Sequence, residues 1–354
     1  MSIYYYEAIK GLLSVKTNIK DFSWSYGTVM PRCTEQEYYN CKIKVDVIEE
    51  DFSIPDTLEK MGKYHYFRGY PGGKEVYYYR NFLLGKKLKL KLVDGNSRNP
   101  KLYVNKSYFK NIRHRFMNLH SVGYLLTDLA SYLLLKEGYA PIHSSGFNFD
   151  GETNVIFAPP NTGKTLTSMM ACLELGAKYI AEDLAVTDGK NIYSVPWTST
   201  FRYYSNVDKS LTSRMKNRLI KVFPPLELVG KQKVNPITDF VNKENILHQS
   251  EIDNLILLER DEFEKTKFEE IDEIHRKLVN LNRYEFNYLR SPLIIAYTFF
   301  NPEYSVEEAA YEEKRILKKL ICNSKKSFVV ADKDATNYLS LILKEVSNGK
   351  KVTV

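Results

Sequence analysis

Over the first third of the chain, apolar and polar residues alternate with a period of two in short stretches, which predicts β-strands. Tyr4–Leu13, Tyr39–Ile48, Lys63–Arg68, Glu75–Phe82, Lys86–Val93 and Leu102–Val104 read as strands of a mostly antiparallel sheet. Turns fall at Gly69–Pro71, Gly72-Gly73 and Asp94-Gly95-Asn96. From Lys87 to Lys91 lysine alternates with leucine, the pattern of a strand with one solvated face. Lys106–Leu119 predicts a helix with a basic face of Lys110, Arg113, His114 and Arg115, and Leu119–Gly138 a strongly apolar helix closed by Gly138.

Beyond that helix the pattern changes character. Pro141–Phe149 reads as one strand that turns at Asp150-Gly151 and returns as Asn154–Ala158. A helix over Thr165–Leu175, ending at Gly176, leads to the strand Lys178–Ala181, then Leu184–Thr187 and Asn191–Val195 as further strands of the same sheet. Leu255–Glu259 and Ser327–Ala331 are later strand candidates, Glu262–Asn282 a charged peripheral helix, and Asp334–Ser347 a closing amphipathic helix. The expected organisation is an N-terminal β-rich domain over 1–118 and an α/β domain over 119–354, α+β overall.

Composition narrows the class. With 44% hydrophobic and 27% charged residues, the 354-residue chain can bury a sizeable core. Its apolar runs are too short to span a bilayer; the longest, Tyr124–Leu135, is interrupted by Asp128. The start, Met1-Ser2-Ile3-Tyr4-Tyr5-Tyr6-Glu7, lacks a basic region followed by an apolar one, so no secretory signal and a cytoplasmic location are expected. Cys33, Cys41, Cys172 and Cys322 show no metal-ligand spacing and read as free thiols, with Cys172 on the buried face of its helix. A net charge of +8 suits an anionic ligand such as a nucleotide. No nucleic-acid module surrounds the basic stretch at Lys106–Leu119.

The stretch with the clearest chemistry is Val155–Leu166. An apolar strand runs into Ala158-Pro159-Pro160-Asn161-Thr162-Gly163, and Lys164-Thr165 opens a helix. Strand, loop and helix in that order are what a phosphate-binding P-loop requires: main-chain N–H groups face an anion, a lysine reaches the β- and γ-phosphates, and the next hydroxyl meets Mg²⁺. Asn161, Thr162, Gly163, Lys164 and Thr165 are therefore the expected nucleotide-binding residues. Ala158 stands where such loops begin with glycine, and Asn161 where many carry another; asparagine tolerates positive φ better than other residues with a side chain.

Phosphoryl transfer also needs a carboxylate for the metal and a group that positions or deprotonates the acceptor. Glu182-Asp183 follows the loop by one helix and one apolar strand, which brings both acids toward the phosphates. His143 is expected at the same end of the sheet, through the Asp150-Gly151 hairpin, within reach of an acidic residue.

These residues resemble the catalytic core of the HPr kinase/phosphorylase superfamily, P-loop kinases related to phosphoenolpyruvate carboxykinase. The likeness lies in Ile142-His143-Ser144-Ser145-Gly146, the hairpin, the loop, and Gly176-Ala177-Lys178-Tyr179-Ile180-Ala181-Glu182-Asp183. Tyr5–Ser14 resembles the start of diverged HPr kinase-related proteins. The resemblance implies ATP or GTP with Mg²⁺ as cofactors, Lys164 and Thr165 on the triphosphate and metal, and Glu182 and Asp183 on the two family aspartates. One of these binds metal, as expected for Asp183 with Thr165, and the other activates a hydroxyl; the sequence leaves both assignments open. His143 lies adjacent, and Arg202 is a candidate acceptor or phosphate contact. Two family glycines, one aspartate and the C-terminal arginine- and glycine-rich signature are missing, so the likeness does not extend to HPr as substrate, the phosphorylase reaction or the hexamer.

The expected activity is an ATP-dependent kinase for a hydroxyl on a peptide, protein or small metabolite, compatible with a homo-oligomer. The alternatives are a nucleotide-binding sensor or scaffold without phosphotransfer, and an NTPase coupled to motion.

Overall fold

A computed structural model describes residues 2–24, 29–56, 59–61, 65–113, 119–198 and 237–348. The chain opens with β1 (Tyr4–Ile9), β2 (Leu13–Thr17), α1 (Glu35–Asn40), β3 (Ile43–Glu49), β4 (Glu59–Lys60), β5 (Tyr66–Arg68), β6 (Glu75–Phe82), β7 (Lys86–Val93), β8 (Lys101–Val104) and α2 (Lys106–Asn111). Their strands form one sheet in the order β1-β2-β3-β8-β7-β6-β5-β4. The β2–β3 and β3–β8 pairs are parallel and the others antiparallel, so the sheet is mostly antiparallel as expected. On β7 the leucines Leu88, Leu90 and Leu92 are fully buried and Lys87 is exposed.

Three local expectations here are corrected. Tyr4–Leu13 is not one strand, because the chain turns at Gly11 (φ 67°) and β2 pairs back on β1. Tyr39 belongs to α1 rather than to a strand: Thr34 and Glu37 exchange hydrogen bonds as a capping box that starts the helix, and the strand begins at Ile43. The basic helix is six residues long and stops at Ile112, where the Asn111 amide has turned back to donate to the Ser107 carbonyl. His114 and Arg115 lie outside the described residues.

Next comes α3 (Val122–Lys136), capped by Ser121 and followed by Gly138 at φ 85°. It packs into the core of the first sheet together with Leu293 and Tyr297 from far along the chain, so residue 118 divides sheets and not hydrophobic cores.

The rest of the chain builds two further sheets from β9 (Ala140–Ile142), β10 (Ser145–Phe149), β11 (Glu152–Phe157), α4 (Lys164–Glu174), β12 (Lys178–Ala181), β13 (Ala185–Thr187), β14 (Asn191–Ser194), β15 (Gln249–Glu251), β16 (Asn254–Arg260), β17 (Lys265–Lys267), α5 (Ile271–Glu285), α6 (Pro292–Phe300), α7 (Val306–Asn323), β18 (Lys326–Asp332) and α8 (Tyr338–Asn348). One sheet has the order β12-β10-β11-β16-β18-β17, with β11, β16 and β18 parallel; the other is β15-β14-β13-β9.

Two expectations change with this topology. Pro141–Phe149 is split between sheets, since Ile142 pairs with Ala185 in one while Ser145 pairs with Ile156 in the other. The strands β13 and β14 likewise leave the sheet of the loop. The reason lies in pairing: β9 and β13 are partners, as are β10 and β12, so two antiparallel segments cross together from one sheet to the next. Continuous burial on both faces removes the alternation that would have marked the break. The charged segment Glu262–Asn282, expected as one peripheral helix, instead holds β17, paired with β18, and then most of α5, whose Ile274, Leu278 and Val279 pack into the core beneath the sheets.

Candidate functional site

Everything that the loop presents comes from one turn of backbone. After β11, the Thr162 N–H donates to the Pro159 carbonyl (3.3 Å), Asn161 adopts φ 60°, and Gly163 adopts φ 130° as the residue before α4. Asn161 thus takes the left-handed conformation for which asparagine suits this place. A Cβ on Gly163 would stand 2.8 Å from Ala335 Cβ and 3.2 Å from the Tyr338 ring, so only glycine fits under the start of α8. No side chain at Gly163 caps α4, which leaves the first-turn N–H groups for an anion.

The two sheet crossings bring the acids and the histidine to the same place. Between β12 and β13, the Leu184 N–H donates to the Glu182 carbonyl (3.0 Å), closing a three-residue turn on Asp183 at φ 69°. This left-handed backbone is uncommon for aspartate and turns the two carboxylates apart. Glu182 is 3% exposed and accepts a hydrogen bond from the Thr165 hydroxyl (3.1 Å). Asp183 enters the cleft and pairs with Lys164 Nζ at 3.1 Å. The Lys164 side chain is nearly buried, so this ion pair is shielded on one side and open to solvent on the other.

His143 lies at the companion crossing, between β9 and β10. Its main-chain N–H donates to Asn282 Oδ1 (3.3 Å), and its Nε2 stands 3.7 Å from Glu285 Oε1. Burial, then the Lys164 charge, pull the imidazole down to about 4, against the opposing pull of Asp183 and a hydrogen bond to the Asp183 main chain. The ring is therefore neutral at pH 7. Glu285 is held above the usual carboxylate range, first by burial, with Lys164 lowering and Asp183 raising it.

Asn282 is itself anchored. Its amide donates to the Pro141 carbonyl (2.9 Å) and to Glu313 (2.9 Å), a buried α7 carboxylate that also accepts from the Tyr288 hydroxyl (2.6 Å) and Arg283 (3.3 Å). Through this chain of contacts α5 and α7 fix the crossing that carries His143.

Together these groups surround a cleft of about 470 Å³ at the carboxyl ends of β11 and β16. His143, Asn161, Thr162, Gly163, Lys164, Thr165 and Asp183 line it, with Glu182 buried behind Thr165. Arg202 lies outside the described residues. Sequence reasoning missed Arg260, Glu285 and Asn282. Arg260 carried a faint signal, as the basic residue that closes an apolar strand; Glu285 and Asn282 carried none inside a helix rich in charge.

The oxygen donors at Thr165, Glu182 and Asp183 fit a hard divalent cation that keeps waters and binds through one or two carboxylates and substrate phosphates. Among the described residues no group of three or more histidine, cysteine or acidic side chains forms a self-sufficient metal cage, and no helix is long and apolar enough to cross a membrane.

No protein-family model matches the chain, and no curated protein does. Among solved structures, the HPr(Ser) kinase/phosphatase from Coxiella burnetii aligns over 36% of this chain and 77% of that one, at 10% identity and a TM-score of 0.21. A likeness of that size adds nothing to the site's own geometry, on which the functional reading rests.

Proposed function

We propose that this protein binds ATP or GTP with Mg²⁺ on the 158–165 loop and transfers the γ-phosphate to a hydroxyl group of a peptide, protein or metabolite. The observation that supports it is the paired engagement of adjacent loop residues by adjacent acids: Lys164 with Asp183, and Thr165 with Glu182. Asp183 pairs with Lys164; a triphosphate on the loop would compete for that lysine and leave the carboxylate facing the acceptor. Thr165 and Glu182 would hold Mg²⁺, which supplies neutralisation of charge on the phosphates.

In this reading Asp183 accepts the acceptor's proton as its oxygen bonds to the γ-phosphorus and the bond to the β-phosphate oxygen breaks, releasing the diphosphate. Neutral His143 presents a polar edge beside it without adding a competing positive charge. Burial of Glu182 suits a metal-side role, and exposure of Asp183 in the cleft suits the acceptor side.

The test is incubation of the protein with γ-labelled ATP, Mg²⁺ and pools of peptides and metabolites, with Lys164→Ala as control. A species gaining one phosphate with the wild-type chain alone is the expected result. Nucleotide binding without transfer to any acceptor would favour a sensor; absence of nucleotide binding would end both readings.

A further inference from the structure

We infer that Arg260 is a second phosphate-binding cation of the cleft, facing the donor nucleotide from the side of the loop opposite the carboxylates. This deepens the nucleotide reading and rests on it. Arg260 ends β16, which runs parallel to β11 with Phe157 beside Leu257, so it leaves the sheet at the same end as the loop. In the sheet order, β10 and β12 carry His143 and Asp183 on one side of β11, and β16 stands on the other. A phosphate chain seated on the loop would therefore have the acids on one flank and Arg260 on the other.

The guanidinium is positioned by carbonyls and not by an ion pair. Nη1 donates to the Lys333 carbonyl (2.6 Å), and Nη2 makes a long contact with the Asn161 carbonyl (3.5 Å). Both acceptors are uncharged, and among the described residues no carboxylate lies within ion-pair distance. Neighbouring cations differ: Lys164 is paired with Asp183, Lys265 with Asp261, and Lys333 with Glu262. Arginine has five N–H donors, so several remain for an incoming anion. A planar fork held by carbonyls at the rim of a phosphate loop is pre-set for two phosphate oxygens; Asp334 feels its charge without pairing with it.

A purely structural brace between the loop and the end of β18 would use the same two carbonyl contacts. The distinction lies in how affinity depends on phosphate count. Calorimetry with MgATP, MgADP and AMP would be run on the full chain and on Arg260→Gln and Arg260→Lys, with thermal midpoints recorded; Arg260 is exposed, so both variants should fold. The expected result is a loss of roughly tenfold or more in ATP and ADP affinity for Arg260→Gln, from the strength of charge-assisted hydrogen bonds. AMP affinity should change far less, and Arg260→Lys should recover part of the loss.

Equal losses for all three nucleotides, or none, would overturn the assignment and leave Arg260 a brace. Nucleotide binding that is lost in Lys164→Ala but insensitive to Arg260 would sink this inference alone. A wild-type chain that binds no nucleotide would sink the function with it.

Discussion

Glu313→Ala should cost far more stability than its distance from the cleft suggests. The carboxylate is 1% exposed and accepts from the Asn282 amide, the Tyr288 hydroxyl and the Arg283 guanidinium. Removing it leaves the fully buried Tyr288 hydroxyl without an acceptor, about 1–3 kcal/mol. Arg283 is 37% exposed and can turn to water, so its share is smaller than for a sealed pair. Adding the cavity, the total is ~3–5 kcal/mol, the range for breaking a buried charged contact. At about 2 °C per kcal/mol, the low end for larger chains, the melting midpoint should fall by roughly 6–10 °C. Glu313→Gln keeps one carbonyl acceptor and should fall by less than half as much.

Circular dichroism melts of the two variants, run beside an exposed control such as Glu312→Ala, would measure this. A Glu313→Ala midpoint within about 1 °C of wild type would refute the reasoning, because no buried acceptor of three donors can be lost so cheaply. There is a second readout. Asn282 holds the His143 main chain, so, on the proposed function, below the melting range Glu313→Ala should reduce phosphotransfer more than nucleotide binding, which that proposal assigns to the 158–165 loop.

Two other perturbations probe the loop and the histidine. Gly163→Ala combines a φ of 130° with a 2.8 Å approach to Ala335, so it should destabilise by about 2–3 kcal/mol and weaken nucleotide binding at least ~10-fold, read by melting and calorimetry. His143 should contribute a pH-dependent loss of stability in acid. Its folded value of about 4 lies below the ordinary 6.5, so the unfolded chain takes up the proton first. Its contribution is complete above pH 6.5, declines as pH falls toward 4, and reaches at most about 3 kcal/mol. Wild type should therefore lose more stability than His143→Gln between pH 7 and 4.5 in matched melts; parallel curves would show that the ring is not buried in its neutral form.

What could be read from the sequence follows the range of the interactions involved. The loop was legible because its determinants are adjacent: an apolar strand, a residue able to adopt φ 60° at position 161, a glycine, then Lys164 and Thr165 at the helix start. The hairpin at Asp150-Gly151 was legible for the same reason, both residues standing at positive φ between paired strands. The break at His143-Ser144 was not. Nothing in a run of buried residues tells which partner strand each will choose, and here the choice changes between Ile142, beside Ala185, and Ser145, beside Ile156.

That hidden break explains why the site exists where it does. Two antiparallel neighbours that change sheets together must open a gap in the ladder, and the residues in the gap, His143-Ser144 on one segment and Glu182-Asp183 on the other, lie outside the strand pairing and can turn. The left-handed turn at Asp183 fits in such a gap and would be costly within a strand. Its consequence is that consecutive acids address consecutive loop residues, Glu182 reaching Thr165 and Asp183 reaching Lys164. Pairing of this kind needs the acids to diverge, which a regular strand achieves only by sending one of them to the opposite face. Lengthening the crossing by one glycine after Asp183 should therefore preserve β12 and β13 but uncouple the two contacts. A variant of that kind that kept full phosphotransfer would show that the turn is incidental, and that the carboxylates find the phosphates without it.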